Sequence, residues 1–161
     1  YVQDYDECFP PSYVASSPRH SFIEQIQPYV KSLQVFDCPS QTVKCLSPPQ
    51  YNGERSYGAN TYLFWQPQAS VTDPAGTIMV ADITPSLYYG AWYMQRPGRG
   101  HRPDDVSGKD YAVWGDTMVW RYMNFVQRHN DMGNACFVDG HCKAMKYETL
   151  YAGGADTFWD L

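Results

Sequence analysis

Twelve prolines and twelve glycines cut this chain into short segments, and that punctuation confines it to strands, turns and brief helices. Proline removes a backbone donor, and glycine supplies turn conformations that other residues resist. The intervening residues suit a sheet: 14 Tyr, 7 Phe and 5 Trp favour pleated, half-buried surfaces. At 161 residues the chain falls within the usual span of one domain, about 100–200 residues. No internal repeat or linker divides it, so one α+β domain is expected.

Charge narrows the function classes. The net charge is −5, and Lys31, Lys44, Arg55, Arg96, Arg99, Arg102 and Arg121 form no dense block. A phosphate backbone is held by clustered cations that release counterions, so no nucleic-acid partner is expected. The loop around Arg99 and His101 runs straight into Asp104 and Asp105 and reads as solvated. No segment approaches the ~20 apolar residues that span a bilayer. The opening Tyr1-Val2-Gln3-Asp4-Tyr5-Asp6-Glu7 suggests that an N-terminal segment has been cut away. Five cysteines, Cys8, Cys38, Cys45, Cys136 and Cys142, in so turn-rich a chain point to an oxidising compartment.

Residues 1–7 suit the last turns of a longer helix, ended by Pro10-Pro11. The spacing of Phe22, Ile23, Ile26, Tyr29, Val30 and Leu33 predicts a helix over Ser21–Ser32, capped by Ser21 and disturbed by Pro28. Strands are expected at Ser56–Leu63, Gly76–Ile83, Ala135–Asp139 and His141–Lys146. Asp116–Gln127 fits either a helix or a strand, and Leu87–Gly115 reads as a long surface excursion.

The stretch from Arg128 to His141 says most. Asp139-Gly140 between apolar runs signals a two-residue type I′ hairpin. That turn places Cys142 opposite Phe137, so Cys136 and Cys142 point to opposite faces and do not pair. Cys38 and Cys45, with six residues between them, can instead close a small loop. His129 sits at the start of the first strand, where its imidazole can tie loops together. Metal ligation by His129 with Asp82, Asp139 or His141 is the alternative role.

His129, nine residues, then Asp139-Gly140 resembles the H-X9-DG motif of prepilin-type, pseudopilin-like proteins. Other segments agree in order. Pro28-Tyr29-Val30-Lys31 with Phe36-Asp37-Cys38-Pro39-Ser40 is similar to the family's stretch there. So are Ser56-Tyr57-Gly58-Ala59-Asn60-Thr61-Tyr62-Leu63, Pro74 to Asp82, and Trp159-Asp160-Leu161. The resemblance spans nearly the whole chain apart from residues 88–127, although Asp131-Met132 stands where glycines are usual.

It implies a pilin-like head, with an N-terminal helix stub packed on a small antiparallel sheet and loop-rich insertions. It also implies an apolar N-terminal helix, absent here, as the sole membrane contact of an anchored precursor. The expected role is a structural subunit of a filament of the type II secretion or type IV pilus class, on the periplasmic or extracellular face. Its partners would be copies of itself, other pilin-like subunits and the inner-membrane assembly machinery. Within the motif, His129, Asn134, Asp139 and Gly140 would be structural. Related pseudopilins bind calcium in the head, so a calcium ion among Asp82, Asp116, Asp131 and Asp139 is a further expectation. No catalytic residue is expected, since the sequence holds neither a Gly-x-Ser-x-Gly elbow nor facing carboxylates. The competing reading is a glycan-binding or adhesive module using Tyr88, Tyr89, Trp92, Tyr93, Trp114 and Trp120.

Overall fold

The structure, a computed structural model, describes residues 1–11, 13–14, 20–41, 56–83, 93–94, 125–146 and 149–150. The chain opens in a short 3-10 turn at Val2–Asp4 rather than the end of an α-helix. Positive φ at Asp6 and Glu7 stops the helical run ahead of Pro10. Strands β1 (Tyr13–Val14) and β2 (His20–Ser21) form a two-stranded antiparallel ribbon. Helix α1 (Phe22–Val30) follows with Pro28 inside it, so Ser21 ends a strand where a cap was expected. A second 3-10 turn, Leu33–Phe36, leads to Cys38.

The main sheet contains β3 (Tyr57–Asn60), β4 (Ile78–Asp82), β5 (Tyr93–Met94), β6 (Gly133–Phe137) and β7 (Cys142–Met145), in the order β5-β3-β4-β6-β7. β3, β4, β6 and β7 are antiparallel to their neighbours within this set, whereas β5 runs parallel to β3. All four expected strands are present, three with trimmed ends and β6 displaced two residues towards the N-terminus of its expected span, Ala135–Asp139. The α+β class holds, with a four-stranded antiparallel core and one α-helix among the described residues. No helix among them is long and apolar enough to cross a membrane.

Strand alternation sends side chains to both faces of the sheet. Ile78, Ala81, Ala135, Phe137 and Met145 pack on one face with Ile83, Phe125 and Leu150. On the other, Ala59 and Val80 meet Phe22, Ile23 and Ile26 of α1, together with Phe36 and Phe64. A third cluster joins Phe9, Leu63, Val71 and Val138. Asn60, fully buried, stitches the layers: its side-chain amide donates to the Ile78 carbonyl at 2.9 Å, and its carbonyl accepts from the Tyr62 N–H at 3.0 Å. The N-terminal turn is clasped to α1, with Tyr1 stacked on Tyr5 at 4.2 Å and the Tyr29 hydroxyl donating to Asp4 at 2.8 Å.

Gly133 shows why this packing tolerates so little change. A Cβ there would collide with the Val126 carbonyl and the Phe125 ring, because residues 125–126 run directly against the start of β6. Phe125 bridges to Ile83, and the Val126 N–H donates to the Asp82 carbonyl at 3.0 Å. The earlier part of Asp116–Gln127 lies outside the described residues, as does Leu87–Gly115 apart from Tyr93–Met94.

Candidate functional site

Asp82 ends β4 with no exposed surface. Burying a carboxylate is costly unless every lone pair is engaged, and the fold supplies the partners. Oδ1 accepts from Arg128 at 3.2 Å, and Oδ2 accepts from the Asn134 backbone N–H at 2.7 Å. The Arg128 guanidinium also donates to the carbonyls of Ser56, at 3.1 Å, and Ile83, at 2.7 Å. Arg128 thus clamps the end of β4 to the start of β3. Burial pushes the Asp82 carboxyl above its usual range, against the opposing pull of the Asn134 N–H, Arg128 and His129.

His129 reaches the same carboxylate from the solvent side. Its Nε2 lies 3.5 Å from Asp82 Oδ2 and 3.5 Å from Cys38 Sγ, and its side chain is 31% exposed. Cys38 is buried and fixed by its backbone N–H, which donates to Ser56 Oγ at 2.6 Å. Tyr57 borders the thiol. Burial pushes its phenol up to about 12, helped by the negative charges that Cys38 and Asp82 can carry. Cys38, Asp82 and His129 place one donor atom each within 4.8 Å of one another.

This arrangement is no nucleophilic relay. A Cys–His–Asp relay uses one ring nitrogen for the thiol and the other for the carboxylate. Here Nε2 faces both groups, and the sulfur is enclosed.

A tight turn sets the His129 position. The N–H and C=O groups of His129 and Met132 bond reciprocally, at 2.9 and 3.0 Å, and Asn130 and Asp131 both have positive φ. That is the two-residue turn expected at Asp139-Gly140, found one strand earlier. Asn and Asp tolerate this conformation better than most residues.

The Asp139-Gly140 hairpin corrects the sequence expectation. Gly140 alone has positive φ there, at 93°, and its N–H donates to the Phe137 carbonyl while the Phe137 N–H donates to that of His141. The loop therefore holds three residues, Val138 to Gly140, with glycine at the bulge position. One residue of register shifts, and Cys136 faces Cys142 directly. The two form a disulfide with Cα atoms 4.1 Å apart, as in the closer kind of antiparallel pair. Cys38 carries a free thiol, turned inward to His129, so the expected Cys38–Cys45 bridge is not made. Cys45 itself lies outside the described residues.

Of the residues singled out by sequence, Asp82, His129 and Asn134 converge, Asn134 through its backbone. His129 meets Asp82 rather than Asp139 or His141. Asp139 lies at the far end of β6 from Asn134, roughly 15 Å along a strand. There it accepts from the His141 N–H at 3.1 Å and contacts its ring nitrogen at 2.6 Å. The calcium set is therefore not assembled among the described residues: Asp131 and Asp139 are exposed and stand apart from Asp82. Asp116 lies outside the described residues, as do Tyr88, Tyr89, Trp92, Trp114 and Trp120. Arg128 is the member that the sequence did not mark as a site residue, and Cys38 was marked only as a disulfide partner of Cys45. The available signals were a cysteine within the Phe36–Ser40 segment and an arginine beside the motif histidine.

No family model, curated protein or solved structure matches the chain.

Proposed function

We propose that this chain is the globular head of a pilin-like subunit in an extracytoplasmic filament of the type II secretion or type IV pilus class, structural rather than catalytic. The observation that supports this reading most is a convergence. Four separate segments that resemble the H-X9-DG family meet at one buried point, through Cys38, Ser56, Asp82 and the Arg128-His129 pair. A set of residues so placed holds a head rigid, which is what a repeating subunit needs.

In this reading an apolar helix joined ahead of Val2 anchors the precursor in the membrane and later bundles with its siblings. The Tyr29–Asp4 and Tyr1–Tyr5 contacts would transmit its orientation to the head. Exposed Tyr29, Val30, Leu33 and Val35 offer apolar surface for lateral packing, and a repeated contact that does not close on itself builds a fibre. The partners are other copies and related subunits, handled by inner-membrane assembly machinery. The hairpin disulfide suits the periplasmic or extracellular face.

Antibodies against the purified head test this in cells that make the protein. Label on sheared surface filaments or on the inner membrane is expected, and Leu33→Glu with Val35→Glu should reduce it while leaving the melting temperature of the head unchanged. A pool confined to the cytosol would overturn the reading.

A further inference from the structure

We infer that Cys38 Sγ, Asp82 Oδ2 and His129 Nε2 form a binding site for one divalent transition-metal ion of the zinc class. The inference does not rest on filament assembly.

Its basis is the geometry around one ring nitrogen. Nε2 stands 3.5 Å from the sulfur and 3.5 Å from the carboxylate oxygen. For an N–H···O bond the second distance is too long, since such bonds cluster between about 2.7 and 3.2 Å. One ring proton, moreover, cannot serve two acceptors well. A tetrahedral zinc with bonds of about 2.0–2.3 Å has ligand–ligand edges of about 3.3–3.8 Å, and both separations fall in that range. The third pair lies within 4.8 Å, close enough for a small rotation about the Cys38 side chain to complete the face.

Donor chemistry selects the metal. Sulfur and imidazole nitrogen with a single carboxylate oxygen favour zinc and its neighbours, whereas calcium and magnesium want oxygen alone. The supporting shell is already built. Arg128 fixes Asp82 Oδ1, the Asn134 N–H fixes Oδ2, and the Ser56 hydroxyl holds the Cys38 backbone. Such outer partners orient ligands before a metal arrives. On binding, the Cys38 thiol gives up its proton to solvent, and the charges of Cys38 and Asp82 balance the ion. The partly exposed side of His129 leaves the fourth position open to water.

Cobalt(II) is the probe, because thiolate ligation gives it a near-ultraviolet charge-transfer band and tetrahedral geometry gives strong visible bands. It is titrated into the folded protein with the Cys136–Cys142 disulfide intact. One equivalent should produce both features, and zinc should displace it. Cys38→Ser should abolish the charge-transfer band, and His129→Gln, which removes a ligand, should weaken binding by more than the roughly 10–100-fold that loss of an outer partner costs. Cys8→Ser, Cys45→Ser and His141→Ala should bind like the parent. A folded parent without the bands, or bands that persist in both Cys38→Ser and His129→Gln, would overturn the site. X-ray absorption of the zinc-loaded parent covers variants that fail to fold: one sulfur among nitrogen and oxygen ligands is expected, and none or two refutes it.

Discussion

Asp82 and Arg128 form an ion pair at 3.2 Å with side chains 0% and 1% exposed, and the pair binds β4 to the backbone just ahead of His129. Neither partner can be lost alone without penalty. Arg128→Met leaves a buried carboxylate facing only the Asn134 N–H and His129, removes the donor to the Ile83 carbonyl, and leaves the Ser56 carbonyl with the Ile83 N–H alone. Breaking such a pair from one side costs about 3–5 kcal/mol. The expected loss is of that size in urea unfolding at neutral pH. Because burial raises the Asp82 pKa, the folded state holds its proton more tightly than the unfolded chain. Stability of the variant should therefore recover as pH falls through the folded pKa towards 3.8, the unperturbed value, and decline as pH rises through it. Asp82→Asn with Arg128→Met should lose less than the single Arg128 change, since a neutral amide replaces the charge.

The hairpin disulfide gives a second expectation. Cys136 and Cys142 are six residues apart, and closing so short a loop restrains the unfolded chain by about 2 kcal/mol. Replacing both cysteines by serine should lower stability by that amount in denaturant. Mass spectrometry of the unreduced protein should find the parent two hydrogens lighter than its reduced form. A bond between Cys38 and Cys45 would reveal itself in the same peptide map.

The helix and all four antiparallel strands were legible in the sequence because their spacing and flanking turn residues agree locally. Register at Asp139-Gly140 was not, since that dipeptide suits both a two-residue type I′ turn and a three-residue loop with a glycine bulge. Contacts remote in sequence decide between them. The Val138 N–H donates to the Thr77 carbonyl and that of Asp139 to Pro74, while Val138 itself is buried with Phe9, Leu63 and Val71. The metal-ligand cluster was hidden for a similar reason. Cys38 and His129 are 91 residues apart, and spacing along the chain carries no mark of their meeting.

Two glycines should fail for different reasons. A Cβ at Gly140 would meet only open space, but φ there is 93°. Gly140→Ala therefore tests conformation alone and should cost about 1–2 kcal/mol. Gly133→Ala meets the Val126 carbonyl and the Phe125 ring. Overpacking against backbone costs roughly 1–3 kcal/mol or more, and the strand cannot retreat without breaking the Asn134–Asp82 bond. Thermal unfolding should rank Gly133→Ala as the more damaging. Cobalt binding should weaken in it and persist in Gly140→Ala, whose hairpin lies at the opposite end of β6.

Acid should loosen that same hairpin through Asp139. The His141 N–H and then its imidazole hold the Asp139 carboxyl below its ordinary 3.8, so the folded state binds this proton more weakly than the unfolded chain does. The resulting stabilisation is present above 3.8 and is lost as pH falls through the lower folded value. His141 lies flat on Phe137 at 4.3 Å, so protonating Asp139 also frees the ring that covers this part of the turn. Asp139→Asn keeps an acceptor for the His141 N–H but removes the charge. Its melting temperature should therefore fall less steeply than the parent's below about pH 4, and the two curves should converge once both side chains are neutral. Parallel acid limbs in parent and variant would show that the carboxylate does not govern the turn.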